Sequence, residues 1–310
     1  MKLLVLGAGG IGGYFGGRLA EAGAADVTFL VRPKRREQIA RDGLRIESPL
    51  GNATIAAKTV VAGEVRPGYD LVLFTCKAYD LDSATDAIAP VMDGKCGVVP
   101  QLNGIAHLER LDARFGKPQV MGGIAQINVT LKRDGTVAHM DPLARIVFGE
   151  RDKQVSARAQ ALADAFAKTK VEWKLSPGIE QEMWEKLVFL CTLAAATCLF
   201  RANVREIMAA SGGREAVERL FAANIATATA EGHPPRKITI DFSRDRLTDP
   251  EGLWSASMLR DLEGGGQVEG DHIVGWMLER ARRHGIDDTV LSLAYTHLKA
   301  YEARRAAGRA

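Results

Sequence analysis

A glycine-rich segment near the start of the chain has the spacing of a phosphate-binding loop. Gly7-Ala8-Gly9-Gly10-Ile11-Gly12 fits the pattern G-x-G-x-x-G and lies directly between a predicted strand and a predicted helix. In this context Gly7 permits a tight turn, Gly9 lets the backbone approach a pyrophosphate, and Gly12 allows helix and strand to pack closely. The unpaired N–H groups at the helix N-terminus also favour an anion. The segment therefore predicts a dinucleotide site, with a glycine-rich turn that binds nothing as the alternative.

The residue at the end of the second predicted strand distinguishes between two dinucleotides. Sites for NAD carry an acidic residue about 20 positions after the glycines, where it binds the ribose 2′-hydroxyl. In this chain that position is Arg32, followed closely by Lys34 and Arg35. A guanidinium binds a 2′-phosphate through paired, charge-assisted hydrogen bonds, whereas a carboxylate would repel it. The sequence therefore predicts NADPH, with Arg32 as the main contact and Lys34 or Arg35 assisting; a solvated basic loop is the alternative.

Four further polar residues could act on a substrate carbonyl. Lys77 and Asn103 each follow a predicted strand at its carboxyl end, where open α/β sheets bind ligands. Lys186 lies on a long predicted helix, and Glu269 precedes another one. Reduction of a carbonyl needs a proton donor for the oxygen that becomes an alkoxide, a task that an ammonium can perform. We expect the apolar neighbours of Lys186 to favour its neutral amine and so make it a stronger acid.

The same residues also have plainer interpretations. Lys186 could be an ordinary helix lysine paired with Glu182 one turn earlier. Glu269 could be a surface carboxylate. Residue type and spacing alone do not separate these alternatives.

The secondary-structure elements that must position these residues follow two different sequence patterns. The first half alternates short apolar runs with helical segments, as in a parallel, doubly wound sheet covered on both faces. The predicted strands are Leu3–Leu6, Val27–Val31, Asp70–Thr75 and Gly97–Pro100. Arg133-Asp134-Gly135 separates two alternating runs, and we interpret these as a hairpin that closes the sheet.

Beyond about Trp173 the pattern becomes helical throughout. The predicted helices are Ile179–Met208, Glu215–Ala230, Leu253–Leu262, Asp271–His284 and Val290–Arg304. We place a domain boundary near Leu175-Ser176-Pro177-Gly178. The α/β class is thus expected to comprise a cofactor-binding domain, residues 1–175, and an all-helical domain for substrate and dimerisation, residues 176–310.

Composition excludes several classes of protein. The chain of 310 residues carries a net charge of only +3, which argues against a dedicated nucleic-acid partner. Its four cysteines show no disulfide or metal-site spacing and fit a reducing cytoplasm. The longest uncharged apolar run, Leu187 to Phe200, is shorter than the roughly 20 residues that span a bilayer. We therefore expect a cytoplasmic enzyme without a membrane or metal, and leave open a homodimer.

Five segments together resemble the ketopantoate reductase (2-dehydropantoate 2-reductase) family. The resemblance spans nearly the whole chain, in order and with matching spacings. The segments are Gly7–Gly12, Phe74-Thr75-Cys76-Lys77-Ala78, Leu102-Asn103-Gly104, Met183-Trp184-Glu185-Lys186-Leu187, and Ser257-Met258-Leu259-Arg260-Asp261 followed by Glu269.

The resemblance implies an N-terminal Rossmann domain, a helical C-terminal domain and NADPH-dependent reduction of a 2-keto acid, 2-dehydropantoate to pantoate in pantothenate biosynthesis. It implies that Lys186 is the proton donor. Asn103 would contact both cofactor and substrate, and Lys77 would lie beside them. Glu269 would close the site near the nicotinamide ribose, and Ser257 would contact the substrate.

Three positions depart from the family pattern. Leu190 and Ala194 stand where the family has asparagines that hold the substrate, and Trp254 replaces a third asparagine. Loss of polar contacts weakens recognition of a small hydroxylated acid. Asn203 is a candidate replacement. The alternatives are a reductase for a bulkier or more apolar 2-keto acid, and a non-catalytic module that binds NADPH.

Overall fold

The computed structural model describes residues 1–309, which form two compact units. Unit 1 comprises Met1–Asn103 and His107–Glu180. Unit 2 comprises Gly104–Ala106 and the chain from Gln181 onward.

Unit 1 contains the strands and five α-helices. The strands are β1 (Lys2–Leu6), β2 (Asp26–Leu30), β3 (Leu44–Glu47), β4 (Ala53–Ile55), β5 (Lys58–Val60), β6 (Leu71–Phe74), β7 (Gly97–Pro100), β8 (Gly122–Leu131), β9 (Val137–Gly149) and β10 (Glu172–Leu175). The helices are α1 (Gly10–Glu21), α2 (Pro33–Asp42), α3 (Leu81–Ile88), α4 (Ala106–Phe115) and α5 (Ala157–Phe166).

A five-stranded parallel sheet carries the predicted α/β architecture. Its order is β5-β2-β1-β6-β7, with strand order reversing beside β1 as in doubly wound folds. Every residue of β6 and β7 is buried, which explains their unbroken apolar sequence. The predicted fold class is confirmed.

The predicted hairpin forms, but it does not close this sheet. β8 and β9 pair antiparallel within a second sheet of order β10-β9-β3-β4. The prediction was wrong in this respect because alternation reveals which residues of a strand are buried but not which partner it pairs with. Short strands β3, β4 and β5, and helix α2, were also missed.

Helix α1 packs between the two sheets, and glycines make this close packing geometrically feasible. A Cβ at Gly16 would lie 2.9 Å from the Phe29 ring of the parallel sheet, and one at Gly17 would lie 2.7 Å from Ile46 of the second sheet. The aromatic rings of Phe15 and Phe166 meet edge to face in the same core. The glycine-rich start of the chain therefore serves packing as well as the loop before α1.

Unit 2 is built from α-helices and a π-helical turn in the described part of the chain. The helices are α6 (Ile179–Phe200), α7 (Val204–Ala209), α8 (Gly213–Ala230), α9 (Lys237–Leu247), α10 (Ser257–Glu263), α11 (Trp276–Arg283) and α12 (Thr289–Ala306). The turn, Asp271–Gly275, leads directly into α11. By length and composition α6 could cross a membrane, but 72% of its apolar window is buried inside the protein, as in a core helix.

The helical boundaries differ from the prediction where local caps intervene. The predicted helix Ile179–Met208 breaks after Phe200, because Arg201 adopts a left-handed backbone with φ of 53° and Asn203 caps the next helix. The predicted helix Leu253–Leu262 begins only at Ser257. Helix α9, which follows His233-Pro234-Pro235, was not predicted.

Candidate active site

The loop between β1 and α1 has the geometry of a phosphate cradle. Gly7 adopts a φ of 91°, a left-handed conformation that side chains rarely occupy. A Cβ at Gly9 would meet no heavy atom within 4 Å, so the backbone there faces open space. Helix α1 begins at Gly10, and its N-terminal N–H groups can donate to an anion. This cradle fits the pyrophosphate of a dinucleotide.

Thr75 completes the support of this loop. Its hydroxyl donates to the carbonyl of Leu6 at 2.7 Å. A Cβ at Gly12 would lie 2.3 Å from both the Gly7 carbonyl oxygen and Thr75 Oγ1. Position 12 therefore has no room for a side chain. Sequence reasoning assigned no role to Thr75, although a hydroxyl directly after an apolar strand was a visible signal.

The basic residues after β2 divide into two groups. Arg32 directly precedes α2, and its side chain is 80% exposed and forms an ion pair with Asp80 at 3.2 Å. Arg35 instead donates to the carbonyls of Ala8 at 3.1 Å and Gly135 at 2.8 Å. Arg35 therefore holds the phosphate loop from behind, whereas Arg32 is available to a ligand and Lys34 is exposed.

Lys77 and Asn103 lie at the same edge of the parallel sheet as the loop. The pairing register aligns Leu6 with Phe74, and Phe74 with Pro100, so the segments that follow β1, β6 and β7 leave the sheet side by side. Lys77 is exposed and Asn103 is half-buried. Unit 1 thus brings together the glycine loop, Arg32, Lys77 and Asn103, as their positions after strands predict.

Unit 2 contains a lysine and a carboxylate that interact electrostatically. Lys186, on α6, is half-buried, and burial lowers its pKa to about 8. The Glu269 carboxylate opposes this shift by favouring the ammonium. Glu269 is itself only 8% exposed. The lowered pKa has the direction expected from the sequence, and an amine of this pKa is a stronger acid than an exposed lysine.

The turn of α6 that carries Lys186 is held by the segment before α9. Glu185 is buried and accepts hydrogen bonds from the Arg236 backbone N–H at 2.9 Å and from its guanidinium Nε at 2.7 Å. Burial alone would raise the pKa of Glu185, but these hydrogen bonds hold it below its usual range. The ring of Trp184 stacks on His233 at 5.1 Å. These contacts restrict movement of the helix on both sides of the lysine.

The positions that depart from the family pattern are apolar or otherwise engaged. Leu190 is half-buried and Ala194 is buried, one and two helical turns beyond Lys186. Trp254 is 44% exposed beside the Arg246 guanidinium. Asn203 Oδ1 accepts from the Glu206 N–H as a helix cap, so this oxygen serves local structure. Ser257 is the half-buried first residue of α10.

Comparison with protein families covers both units. The profile described as "Ketopantoate reductase PanE/ApbA" matches residues 3–153, and the profile of its C-terminal part matches residues 178–302. The chain belongs to the ketopantoate reductase family. As a member of that family it is an oxidoreductase of the NAD(P)H-binding type.

Individual relatives of this ketopantoate reductase family member differ in what they are named for. An uncharacterized oxidoreductase of Bacillus subtilis is 38% identical over 305 residues, covering 98% of this chain and 100% of the relative. The structure of 2-dehydropantoate 2-reductase from Geobacter metallireducens is 28% identical with a TM-score of 0.86, covering 97% and 99% of the two chains. A ternary structure of D-mandelate dehydrogenase with NADH and anilino(oxo)acetate shares the fold, at 21% identity, a TM-score of 0.86 and coverage of 99% and 100%. The fold therefore accommodates different substrates.

Replacement of Glu269 by Gln tests the electrostatic coupling to Lys186. We expect the pKa of Lys186 to fall below its value of about 8, by about one unit, because the substitution removes the carboxylate that favours the ammonium. The measurement is a pH titration of ¹³Cε-lysine signals by NMR, with the Lys186 signal identified by its loss in Lys186→Arg. Glu263→Gln, an exposed carboxylate of the same unit, is the matched control. An unchanged titration in Glu269→Gln would contradict the coupling.

Proposed function

We propose that the chain is an NADPH-dependent reductase that converts a 2-keto acid to a 2-hydroxy acid, with 2-dehydropantoate to pantoate as the leading reaction. The observation that carries this proposal is the Lys186 amine, whose pKa of about 8 and neighbouring carboxylate suit a proton donor. Family membership supplies the reaction class.

Lys186 has two tasks in this reaction. A reduced nicotinamide, when bound, supplies the hydride to the keto carbon. The Lys186 ammonium stabilises the negative charge that develops on the carbonyl oxygen and then transfers a proton from Nζ to it, leaving a hydroxyl group and a neutral amine. The amine regains its proton from solvent. Since the ammonium is the active form, we expect turnover to decline as pH rises through the pKa of Lys186.

The remaining site residues take binding roles in this proposal. The Gly7–Gly12 loop binds the pyrophosphate, and Arg32 binds the 2′-phosphate. Asn103 and Lys77 orient cofactor and substrate at the sheet edge, Ser257 contacts the substrate, and Glu269 contacts the nicotinamide ribose while favouring the Lys186 ammonium.

A bulkier or more apolar 2-keto acid is the second candidate substrate. Leu190 and Ala194 follow Lys186 on α6 at intervals of four residues and offer no hydrogen bonds to a hydroxylated substrate. A D-mandelate dehydrogenase solved with NADH and anilino(oxo)acetate has the same fold.

We place the enzyme in the cytoplasm, which suits four cysteines that form no disulfide among residues 1–309, with a homodimer as the proposed assembly.

Arg32→Ala tests the choice of cofactor. We expect NADPH affinity to fall about 10- to 150-fold, since a hydrogen bond to a charged group is worth roughly 1.5–3 kcal/mol, while NADH affinity changes little. Fluorescence titration with each cofactor gives the dissociation constants. Arg36→Ala, on the helix that follows Arg32, is the control, because Arg36 pairs with Glu64 at 2.7 Å. Equal affinities of the parent protein for both cofactors would refute the NADPH assignment.

Lys186→Ala tests catalysis itself. The parent is first screened for NADPH oxidation with a panel of 2-keto acids that includes 2-dehydropantoate. On the best substrate we expect the variant to lose roughly 10²–10⁴-fold in kcat, the usual contribution of a general acid, with cofactor affinity unchanged. Lys237→Ala, at an exposed lysine of the same unit, should remain active. Absence of turnover on every keto acid, with tight NADPH binding, would instead favour a non-catalytic binding module.

Leu190→Asn distinguishes the two candidate substrates. We expect weak reduction of 2-dehydropantoate by the parent and a rise of about 2- to 12-fold in kcat/KM in the variant, because one restored hydrogen bond is worth roughly 0.5–1.5 kcal/mol. Apolar keto acids should lose efficiency. Leu293→Asn, at an exposed site on α12, is the control. A parent kcat/KM for 2-dehydropantoate of about 10⁵ M⁻¹s⁻¹ or more would show that other residues hold the substrate.

A further inference from the structure

The segment that carries Glu269 is fixed by one face of the C-terminal helix. Glu269 lies between Gly264-Gly265-Gly266 and the π-helical turn Asp271–Gly275. The glycine triplet is bonded to the end of α10, where the Gly266 N–H donates to the Asp261 carbonyl at 2.7 Å. Helix α12 adds contacts on both sides of Glu269.

The first anchor lies before Glu269. Tyr301 Oη donates to the carbonyl of Gly266 at 2.6 Å, and Arg305 Nε donates to the carbonyl of Gly265 at 3.1 Å. Tyr301 is only 6% exposed, so its ring is packed as well as bonded. These two residues lie one turn apart on α12 and hold consecutive carbonyl groups.

The second anchor lies just after Glu269. Tyr295 Oη donates to Asp271 Oδ1 at 2.6 Å, and Lys299 Nζ lies 3.0 Å from both carboxylate oxygens of Asp271. Burial alone would raise the pKa of Asp271, but these hydrogen bonds lower it, and burial together with the carboxylate raises the pKa of Tyr295 to about 12. The pair is therefore Asp271 carboxylate and neutral Tyr295 phenol across the working pH range.

Close backbone packing supports the second anchor. A Cβ at Gly275 would lie 2.7 Å from Tyr295 Cε2, and one at Gly270 would lie 3.4 Å from Leu298 Cβ. The π-helical turn widens the backbone over this stretch, a feature that often occurs at functional sites. Gly270, just before the turn, and Gly275, its last residue, bring the widened turn directly against α12.

We propose that Tyr295 and Tyr301 are positioning residues that hold the Glu269 carboxylate beside the Lys186 ammonium. Glu269 is three residues from the carbonyl held by Tyr301 and two from the carboxylate held by Tyr295. With both ends held, its backbone cannot shift far. Removal of both hydroxyls leaves only the Lys299 and Arg305 contacts at the two anchors, so the segment is held less firmly and the carboxylate can move away from the lysine. The inference rests on the proposed function in one respect: that function gives the Glu269–Lys186 pair its catalytic role.

The charged groups near Lys186 allow this effect to be isolated. Glu269 is the carboxylate whose field raises the pKa of the lysine. On α6 itself, Glu185 is engaged by Arg236, and Glu182 lies one turn before Lys186. Substitutions on α12 alter none of these groups. A change in the Lys186 pKa would therefore report movement of Glu269.

The test uses Tyr295→Phe, Tyr301→Phe and the double variant in the full chain. Each substitution keeps the packed ring and removes only the hydroxyl. We expect the ¹³Cε NMR titration of Lys186 to move to lower pH by about 0.3 to 0.8 units in the double variant, less than in Glu269→Gln and in the same direction. Arg304→Gln is the control, because Arg304 bonds to the Arg309 carbonyl rather than to the anchored segment. Thermal unfolding verifies that each variant is folded.

The outcomes separate this inference from the proposed function. A double variant that titrates like the parent, or an Arg304→Gln variant that shifts as much, overturns the positioning role. So does a Glu269→Gln variant with an unchanged Lys186 titration. If the protein reduces a keto acid, the pH at which kcat declines on the alkaline side should shift in the variants together with the Lys186 pKa measured by NMR. NADPH affinity should stay constant. Failure to find any turnover refutes the proposed function. The NMR titration still decides whether Tyr295 and Tyr301 position Glu269.

Discussion

The protonated Lys186 amine is stable in its surroundings because a carboxylate accompanies it. An ammonium removed from water loses hydration energy, so burial favours the neutral amine, and Glu269 offsets part of that preference. The resulting pKa of about 8 leaves the group mostly protonated at neutral pH, yet more acidic than a lysine in water. The Glu185–Arg236 hydrogen bonds hold the lysine's helix, and α12 holds the carboxylate's segment. Both partners of the electrostatic interaction are thereby placed by rigid structure.

Unit 1 depends on a different constraint, the close packing of the α1 backbone against neighbouring backbone and side chains. Gly12 admits the Gly7 carbonyl and Thr75 at distances no side chain could tolerate, while Gly16 and Gly17 admit residues of the two sheets. Gly9 differs from these, since its surroundings are open. One glycine-rich segment therefore combines packing positions, which need glycine to fold, with an open position that we propose admits a phosphate.

Family membership determines the class of chemistry but not the substrate. The proposed proton donor and its carboxylate would serve the reaction class, whereas half-buried Leu190 and buried Ala194 lie further along the same helix, where side chains can change without changing the fold. A helix is a rigid support for such changes. This explains how proteins with one fold are named for 2-dehydropantoate in one case and D-mandelate in another.

The sequence by itself determined the glycine loop, the parallel sheet and the helical second half, because each depends on local patterns: glycine spacing, unbroken apolar runs and helical periodicity. It also indicated Lys77 and Asn103, since residues after parallel strands share one edge of a sheet. Tertiary structure alone decided that the β8–β9 hairpin joins a second sheet and that Arg35 supports the loop. It also decided that α12 holds the segment around Glu269. These features join residues far apart in the chain, and hydrogen-bond partners at such separations leave no periodic trace in the sequence.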